Sequence, residues 1–414
     1  MKKELNEFKK HTNYQLFNYM RKVICVIITS LLILSSCKFK TADNPKDNND
    51  NAIVEAVGKN VAVLNVYTFD ETPLYDTLTT DNLIESVHFI RLENSKEAFI
   101  SGADNVSRID DKYVIYANNA FERTVKIFNS DGSYYKDAFK LGRGPKEVVR
   151  IAYFACNDST NKITVLGMLD EKALKYDSQT ENIERYRLSY DYGKRLTNLI
   201  ALPSGNYLVL NGKYPDKNSD PYPYLFLLND KLEIAQSLSD KKDRHKKLVE
   251  GVTEGPDLHM FLRPYKNGAI FHDLLNDTIF YVDDNLSLTP VAIFDMGKKK
   301  PTMKENTYDN IKKKAEKIYL YDTKITDKYL FASYYFDNEV YESIWDYKTG
   351  KLVYTSHNML SGLRINLNGT SFRVYGFGIF DNKLLAIINA SDLLDVLPDL
   401  KPDDNSVLVE ITLK

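Results

Sequence analysis

The residues from Asp104 to Glu147 constrain this 414-residue chain more than any other stretch. Three short apolar-rich runs, Val106–Ile109, Tyr113–Ala117 and Thr124–Phe128, are followed by a fourth, Ser133–Phe139. Asp110-Asp111 separates the first two, and Asn129-Ser130-Asp131-Gly132 separates the last two. Asp-Gly between alternating runs is a strong hairpin signal, because the turn needs backbone angles that Gly adopts without steric cost. The stretch leaves through Leu141-Gly142-Arg143-Gly144-Pro145, which can neither extend a strand nor start a helix interior. Four antiparallel strands joined by tight turns form one blade of a β-propeller.

The rest of the chain repeats the unit. Its third-strand pattern recurs at Val125–Phe128, Leu174–Tyr176, Tyr224–Leu228, Thr278–Tyr281, Ser343–Tyr347 and Val407–Ile411. Anchors at 128, 176, 228, 281 and 347 are 48, 52, 53 and 66 residues apart, a blade-sized period with variable loops. The long interval holds the Lys-rich segment 297–319, in which Tyr308–Lys317 reads as an exposed helix. The sixth unit ends at Lys414 without an outer strand, and an unpaired edge is a liability. Ser86–Leu92 alternates well, precedes the first blade, and is expected to supply that strand. The expected fold is an all-β, six-bladed propeller of four-stranded antiparallel blades, closed by an N-terminal strand. The 29 Tyr and 20 Phe suit pleated, half-buried strands.

The N-terminus carries a different signal. Met20-Arg21-Lys22 followed by the apolar run Val23–Leu34 reads as a secretory signal, too short to span a bilayer. It ends Leu34-Ser35-Ser36-Cys37, which looks like a lipobox, with Cys37 as the acyl acceptor. The division is thus a signal peptide over 1–36 (starting naturally at Met20), a lipidated flexible tether over 37–60, and the propeller over 61–414. Net charge is −2, and residues 1–36 contribute a +4 excess whose removal leaves an acidic body of −6. That argues against nucleic acid as a partner. Three cysteines, Cys25, Cys37 and Cys156, make neither a disulfide framework nor a zinc spacing, and Cys156 reads as an inert buried thiol.

The paired-Asp turn, the Tyr-rich strand, the strand ending Phe128-Asn129-Ser130-Asp131-Gly132 and the run Gly142-Arg143-Gly144-Pro145-Lys146-Glu147 resemble a known family. It is that of six-bladed β-propeller lipoproteins of Gram-negative gut-type bacteria, relatives of NHL-repeat and TolB-like propellers. Members of that family tend to have Gly at the position of Lys146, so the loop of this chain departs from the family pattern there. The resemblance implies an outer-membrane lipoprotein, facing the periplasm or the surface, more than it implies an activity.

No phosphate loop, nucleophile elbow or His-Glu-x-x-His motif is present, and no cofactor or metal site is expected. Gly142–Pro145 reads as a blade connector, with Arg143 a candidate for pairing with an anionic ligand group. Arg150, Arg195 and Arg373 stand at or before inner strands of other blades; His259, Arg263 and Tyr265 cluster before the fourth. His272-Asp273 invites a metal reading, but neighbours on a strand point to opposite faces, so a strand-end His is favoured. Asp76-Thr77-Leu78, Asp158-Ser159-Thr160 and Asp277-Thr278-Ile279 resemble O-glycosylation sites, the first being the best placed. The expected function is a binding module for a glycan, peptide or envelope protein over the central channel. The alternative is an NHL-like lyase or hydrolase, which the six His of the chain supply poorly.

Overall fold

A computed structural model of the chain describes residues 61–65, 75–100, 103–118, 123–167, 172–188, 196–211, 223–239, 260–272, 277–301, 316–358 and 362–414. The signal, the tether over 37–60 and residues 308–315 of the expected helix Tyr308–Lys317 lie outside them. Val57–Lys414 forms one compact unit.

The strands assemble into six four-stranded antiparallel blades in a ring. Blade A is β3 (Ala103–Ile109), β4 (Lys112–Asn118), β5 (Arg123–Phe128) and β6 (Tyr134–Asp137). Two short strands, β7 (Lys140–Leu141) and β8 (Glu147–Val148), pair in the connector to blade B. Blade B is β9 (Ile151–Asn157), β10 (Lys162–Gly167), β11 (Lys172–Asp177) and β12 (Ile183–Arg187). Blade C is β13 (Leu196–Ala201), β14 (Tyr207–Asn211), β15 (Pro223–Leu228) and β16 (Ile234–Ser239). Blade D is β17 (Phe261–Tyr265), β18 (Gly268–His272), β19 (Thr278–Val282) and β20 (Leu288–Asp295). Blade E is β21 (Tyr319–Ile325), β22 (Tyr329–Phe336), β23 (Glu339–Asp346) and β24 (Lys351–Asn358). A two-stranded hairpin, β25 (Leu363–Leu367) and β26 (Thr370–Val374), follows. Blade F takes β27 (Gly378–Phe380), β28 (Lys383–Ile388) and β29 (Val407–Leu413), and its outer strand is β2 (Ile84–Arg91), from the other end of the chain. All six third-strand patterns fall on third strands, the fifth running one residue past the end of β23. The closing strand starts two residues earlier than the sequence suggests and ends one residue earlier.

Blade strands are buried on both faces because each blade is packed between two others. Side chains alternate along a strand, so successive residues enter different gaps. In β4, Val114 and Tyr116 join the cluster between blades A and B, while Tyr113, Ile115 and Ala117 join the one between F and A. Six apolar clusters result, one in each gap between neighbouring blades. The core is therefore a ring of walls around a channel rather than one central mass.

The turns between first and second strands are tight and link neighbouring blades. Asp110, in the left-handed region at φ 51°, donates its N–H to Asp158 Oδ1 at 2.8 Å. Asn157 Nδ2 donates to Leu202 O at 2.6 Å, and Asp327 exchanges two hydrogen bonds with Asn382 at 2.8 and 2.6 Å. The connectors between blades and the loops between second and third strands open on the opposite face. The direction of every blade strand requires this, since first and third strands run away from that face.

One element has no signal in the sequence periodicity. β1 (Ala62–Asn65) pairs in parallel with β20, adding a fifth strand to the outer edge of blade D. Leu64 on it is fully buried among Phe294, Ile279 and Trp345. Tyr75 then hydrogen-bonds across β24 at the outer edge of blade E, through Val353 O and Thr355 N. Leu78 does the same with β25, through Arg364 O and Asn366 N. The chain next becomes β2. Its N-terminal part is thus a strap over three successive outer edges, D, E and F, a common way of masking edge strands.

Candidate functional site: the charged channel wall of blades C, D and E

Arg263 sits at the middle of β17, an innermost strand, yet 32% of its side chain is exposed. Its neighbours Phe261 and Tyr265 turn toward blade E, so the guanidinium at the same alternation reaches across to β21. There Nε donates to Asp322 Oδ1 at 2.7 Å. Nη1 donates to Leu262 O at 3.2 Å and, on the other side, to Asn198 Oδ1 at 3.3 Å. Asn198 belongs to β13 of blade C, at a register shift between Thr197 and Ile200, with φ 58°. A bulge re-aims side chains, and Asn tolerates the left-handed region better than most residues. Asp322 lies just after a second register shift, between Leu320 and Asp322.

Lys324, two residues along β21, donates Nζ to the other carboxylate oxygen, Asp322 Oδ2. Its ammonium also lies 4.7 Å from the Phe377 ring centroid, on the approach to blade F. One carboxylate therefore holds two cations. Burial works to raise the Asp322 carboxyl, but the Lys324 and Arg263 charges outweigh it and hold the group below the usual carboxylate range.

Behind Asp322 a polar rung crosses the whole of blade E. Asp322, Ser333, Glu342 and Ser356 are directly opposed on four successive strands. Ser333 Oγ donates to Glu342 Oε2 at 2.6 Å. Burial pushes the Glu342 carboxyl up to about 7, and its hydrogen bonds to Ser333 and the Gly362 N–H only partly oppose that. Gly362, before β25, accepts from Ser356 Oγ at 3.3 Å and from Arg373 Nη1 at 3.4 Å. The rung thus joins the channel wall to the hairpin between blades E and F.

Of the residues the sequence suggests, Arg263 is at this site and Arg373 touches its outer end. Arg373 stands on β26 of the hairpin, not on a blade strand. Tyr265 ends β17 beside the tight turns, its hydroxyl 3.5 Å from that of Tyr347. His272 is fully buried at the end of β18, stacked on Phe261 with ring centroids 4.9 Å apart. Arg150 is exposed just before β9. Arg143 is exposed too, but its turn lies over the outer half of blade B, away from the axis. Buried Lys172 on β11 donates to Gly144 O and Glu147 O at 3.2 and 2.8 Å, and Lys146 Nζ reaches Asn182 at 3.3 Å. Arg195, His259 and Asp273 lie outside the described residues, as does Cys37. Thr278, in a suggested glycosylation motif, is 1% exposed and inaccessible in the folded chain.

Asn198, Asp322, Lys324 and Glu342 are absent from the sequence reading. The trace they leave is Tyr321-Asp322-Thr323-Lys324 and Tyr341-Glu342-Ser343, charges inside otherwise apolar strands. Among the described residues, no group of three or more His, Cys, Asp or Glu is disposed to hold a metal ion. Cys156 stands on β9, its thiol pushed up by burial.

Comparison with known proteins yields folds rather than activities. No curated protein matches the chain. A solved structure of a candidate exported protein from Bacteroides fragilis is similar, with TM-score 0.63 and 16% identity over 85% of this chain and 99% of that one. A member of the DUF4221 family from Bacteroides vulgatus is similar with TM-score 0.51 and 10% identity over 80% and 98% of the two chains. At these identities the likeness is one of fold alone. The family model described as a domain of unknown function, DUF4934, matches residues 66–412, nearly the whole propeller, and the chain belongs to that family.

Proposed function

We propose that this is an exported, lipid-anchored protein of the cell envelope whose propeller is a binding module. A glycan, a peptide or a partner protein docks over the channel mouth and reaches the Arg263–Asp322–Lys324 cluster. The observation that carries this reading is the exposure of Arg263, a charged side chain held by residues of three blades at the middle of an innermost strand. Oriented charges on rigid strands suit recognition, since nothing has to reorganise when a ligand arrives. Tyr321, beside Asp322 on β21, is 38% exposed, and Phe99 and Tyr375 are exposed on connectors. Aromatic residues and Arg are the types enriched at interaction surfaces. Export is supported by the Met20–Leu34 signal and the Cys37 lipobox, and a relative of the same fold is named a candidate exported protein.

Glu342 favours a second reading, an enzyme of lyase or hydrolase type. A carboxyl near 7 bonded to a serine hydroxyl is the kind of group that general acid–base chemistry uses.

The test is an array of bacterial glycans and peptides probed with the full chain. The same array is probed with Arg263→Glu and with Lys266→Glu, whose charge lies on the tight-turn face. Binding lost in the first variant and kept in the second supports the module. Equal loss or equal retention contradicts it. Release of modified ligand by the wild type but not by Glu342→Gln would favour the enzyme.

A further inference from the structure

We infer that the channel wall of blades D and E grips a carboxylate group, presented by an acidic sugar or a small organic acid. This rests on the proposal that ligands bind over the channel, and it names the chemistry recognised there.

Asp322 offers one oxygen to Arg263 Nε and the other to Lys324 Nζ, so a single negative charge is shared between two fixed positive ones. The trio carries a net +1. The nearest carboxyl along the rung, Glu342, does not cancel it in full. Burial pushes that group up to about 7, and its bonds run outward to Ser333 and Gly362. The trio also keeps donors to spare. Arg263 commits Nε and Nη1, and Nη2 takes no partner among the described residues. Lys324 Nζ commits one of its three protons, to Asp322.

The cations cannot turn away to find other partners. Asn198 and the Leu262 carbonyl hold one edge of the guanidinium while Asp322 holds the other. Lys324 is pinned between Asp322 and the Phe377 ring, its side chain 16% exposed. Two preorganised cations with unspent N–H groups, at the edge of a low-dielectric wall, form a site for a planar, charge-delocalised anion. A carboxylate laid across Arg263 Nη2 and Lys324 Nζ would complete the alternation of charge that Asp322 begins. A neutral sugar would leave the +1 uncompensated, so acid should be preferred over its neutral counterpart.

The experiment titrates full-length protein in detergent with glucuronate, glucose and succinate at low ionic strength, by calorimetry. Hydrogen exchange with and without each probe locates the contact. Wild type should bind glucuronate or succinate and show no binding of glucose. Lys324→Met and Arg263→Gln should each weaken the acid at least tenfold, while Lys328→Met, on the tight-turn side, should change nothing. Melting curves identify any variant that fails to fold, and Lys324→Met, which leaves the Arg263–Asp322 pair intact, then decides. Glucuronate binding without succinate assigns a sugar acid, and equal binding of both assigns the carboxylate alone.

No binding of either acid overturns the inference, as does acid binding that is unchanged in Lys324→Met. Glucose bound at the channel as well as glucuronate would sink the carboxylate while sparing the channel as the ligand site. Probe contacts confined to the tight-turn face would sink both.

Discussion

Phe89 lies directly opposite Val409 across the strand pair that closes the ring, one near the first residue of the propeller and the other near its last. Phe89 and Val87 pack into the gap between blades E and F, while Ile90 and Leu92 enter the gap between F and A. The closing strand is thus as much a part of two apolar walls as any strand inside the chain. It is further fastened by Arg91 to Asp399 at 2.5 Å and by Asn405, whose amide bonds Glu93 O, Ala98 O and Ile100 N.

Phe89 is half-buried, its ring 5.8 Å from that of Phe372, so Phe89→Ala should cost about 1–3 kcal/mol, less than a fully buried aromatic. Thermal unfolding reads this. A chain beginning at Asn94 should melt well below one beginning at Asn60 and lose its protease resistance. Equal melting would mean that the ring does not need β2.

The strap makes a less obvious prediction. Leu64 is fully buried although it precedes the first blade by many residues, and Leu64→Ala should cost about 2–5 kcal/mol. Gly350, in a turn of blade E at φ +72°, leaves no room there either: a Cβ would come within 2.7 Å of Val63 O. Gly350→Ala should therefore destabilise through strain and through displacement of β1, measured as a lower midpoint in denaturant. An unchanged midpoint in both variants would mean that β1 does not hold blade D in solution.

Glu342 sets the expected pH dependence. Its folded carboxyl is raised to about 7 from an ordinary 4.5, so the folded state holds a proton that the unfolded chain releases. Its contribution to stability is complete below about 4.5 and is lost as pH rises toward 7. Glu342→Gln should flatten that fall and melt higher than wild type at pH 8. A variant whose melting temperature follows the wild-type curve across this window would show that the carboxyl titrates normally.

Cys37→Ala should leave the protein without lipid, because no other cysteine stands at the cleavage end of the signal-like run. Labelled fatty acid uptake and detergent partitioning measure it. A variant that still takes up label and still enters the detergent phase would refute the anchor.

How much of this was legible in the sequence depended on whether the signal was local. Asp131-Gly132 marks a turn by its chemistry alone, and the six third strands announce themselves by repeated alternation. The closing strand could be inferred because Val407–Lys414 leaves an edge unpaired and Ser86–Leu92 has no other home. β1 could not, since four residues with a parallel partner in blade D carry no period of their own. The hairpin of β25 and β26 was hidden for a related reason, as two short strands between the fifth and sixth repeats with no repeat of their own. Among the site residues, Arg263 could be singled out because it clusters with His259 and Tyr265 on the approach to the fourth blade. Asp322 and Lys324 could not, because a charge at every second position of a strand usually marks a solvent face. Here that face is the wall of a channel, and only closure of the ring makes it so. Arg143 stands in the connector that its Gly and Pro residues mark in the sequence. In its Gly-rich turn the Glu147 side chain folds beneath the glycines, its carboxylate accepting from Gly144 N at 2.8 Å.

Hydrogen exchange tests most directly whether ligand binds at the channel wall of blades C to E. Full-length protein is compared with and without the tightest ligand found on the array. Slower exchange in Phe261–Tyr265 and Tyr319–Ile325, with Asn129–Gly132 and Asp283–Leu286 unaffected, is the predicted result. Protection confined to those tight turns, with β17 and β21 unchanged, would contradict it.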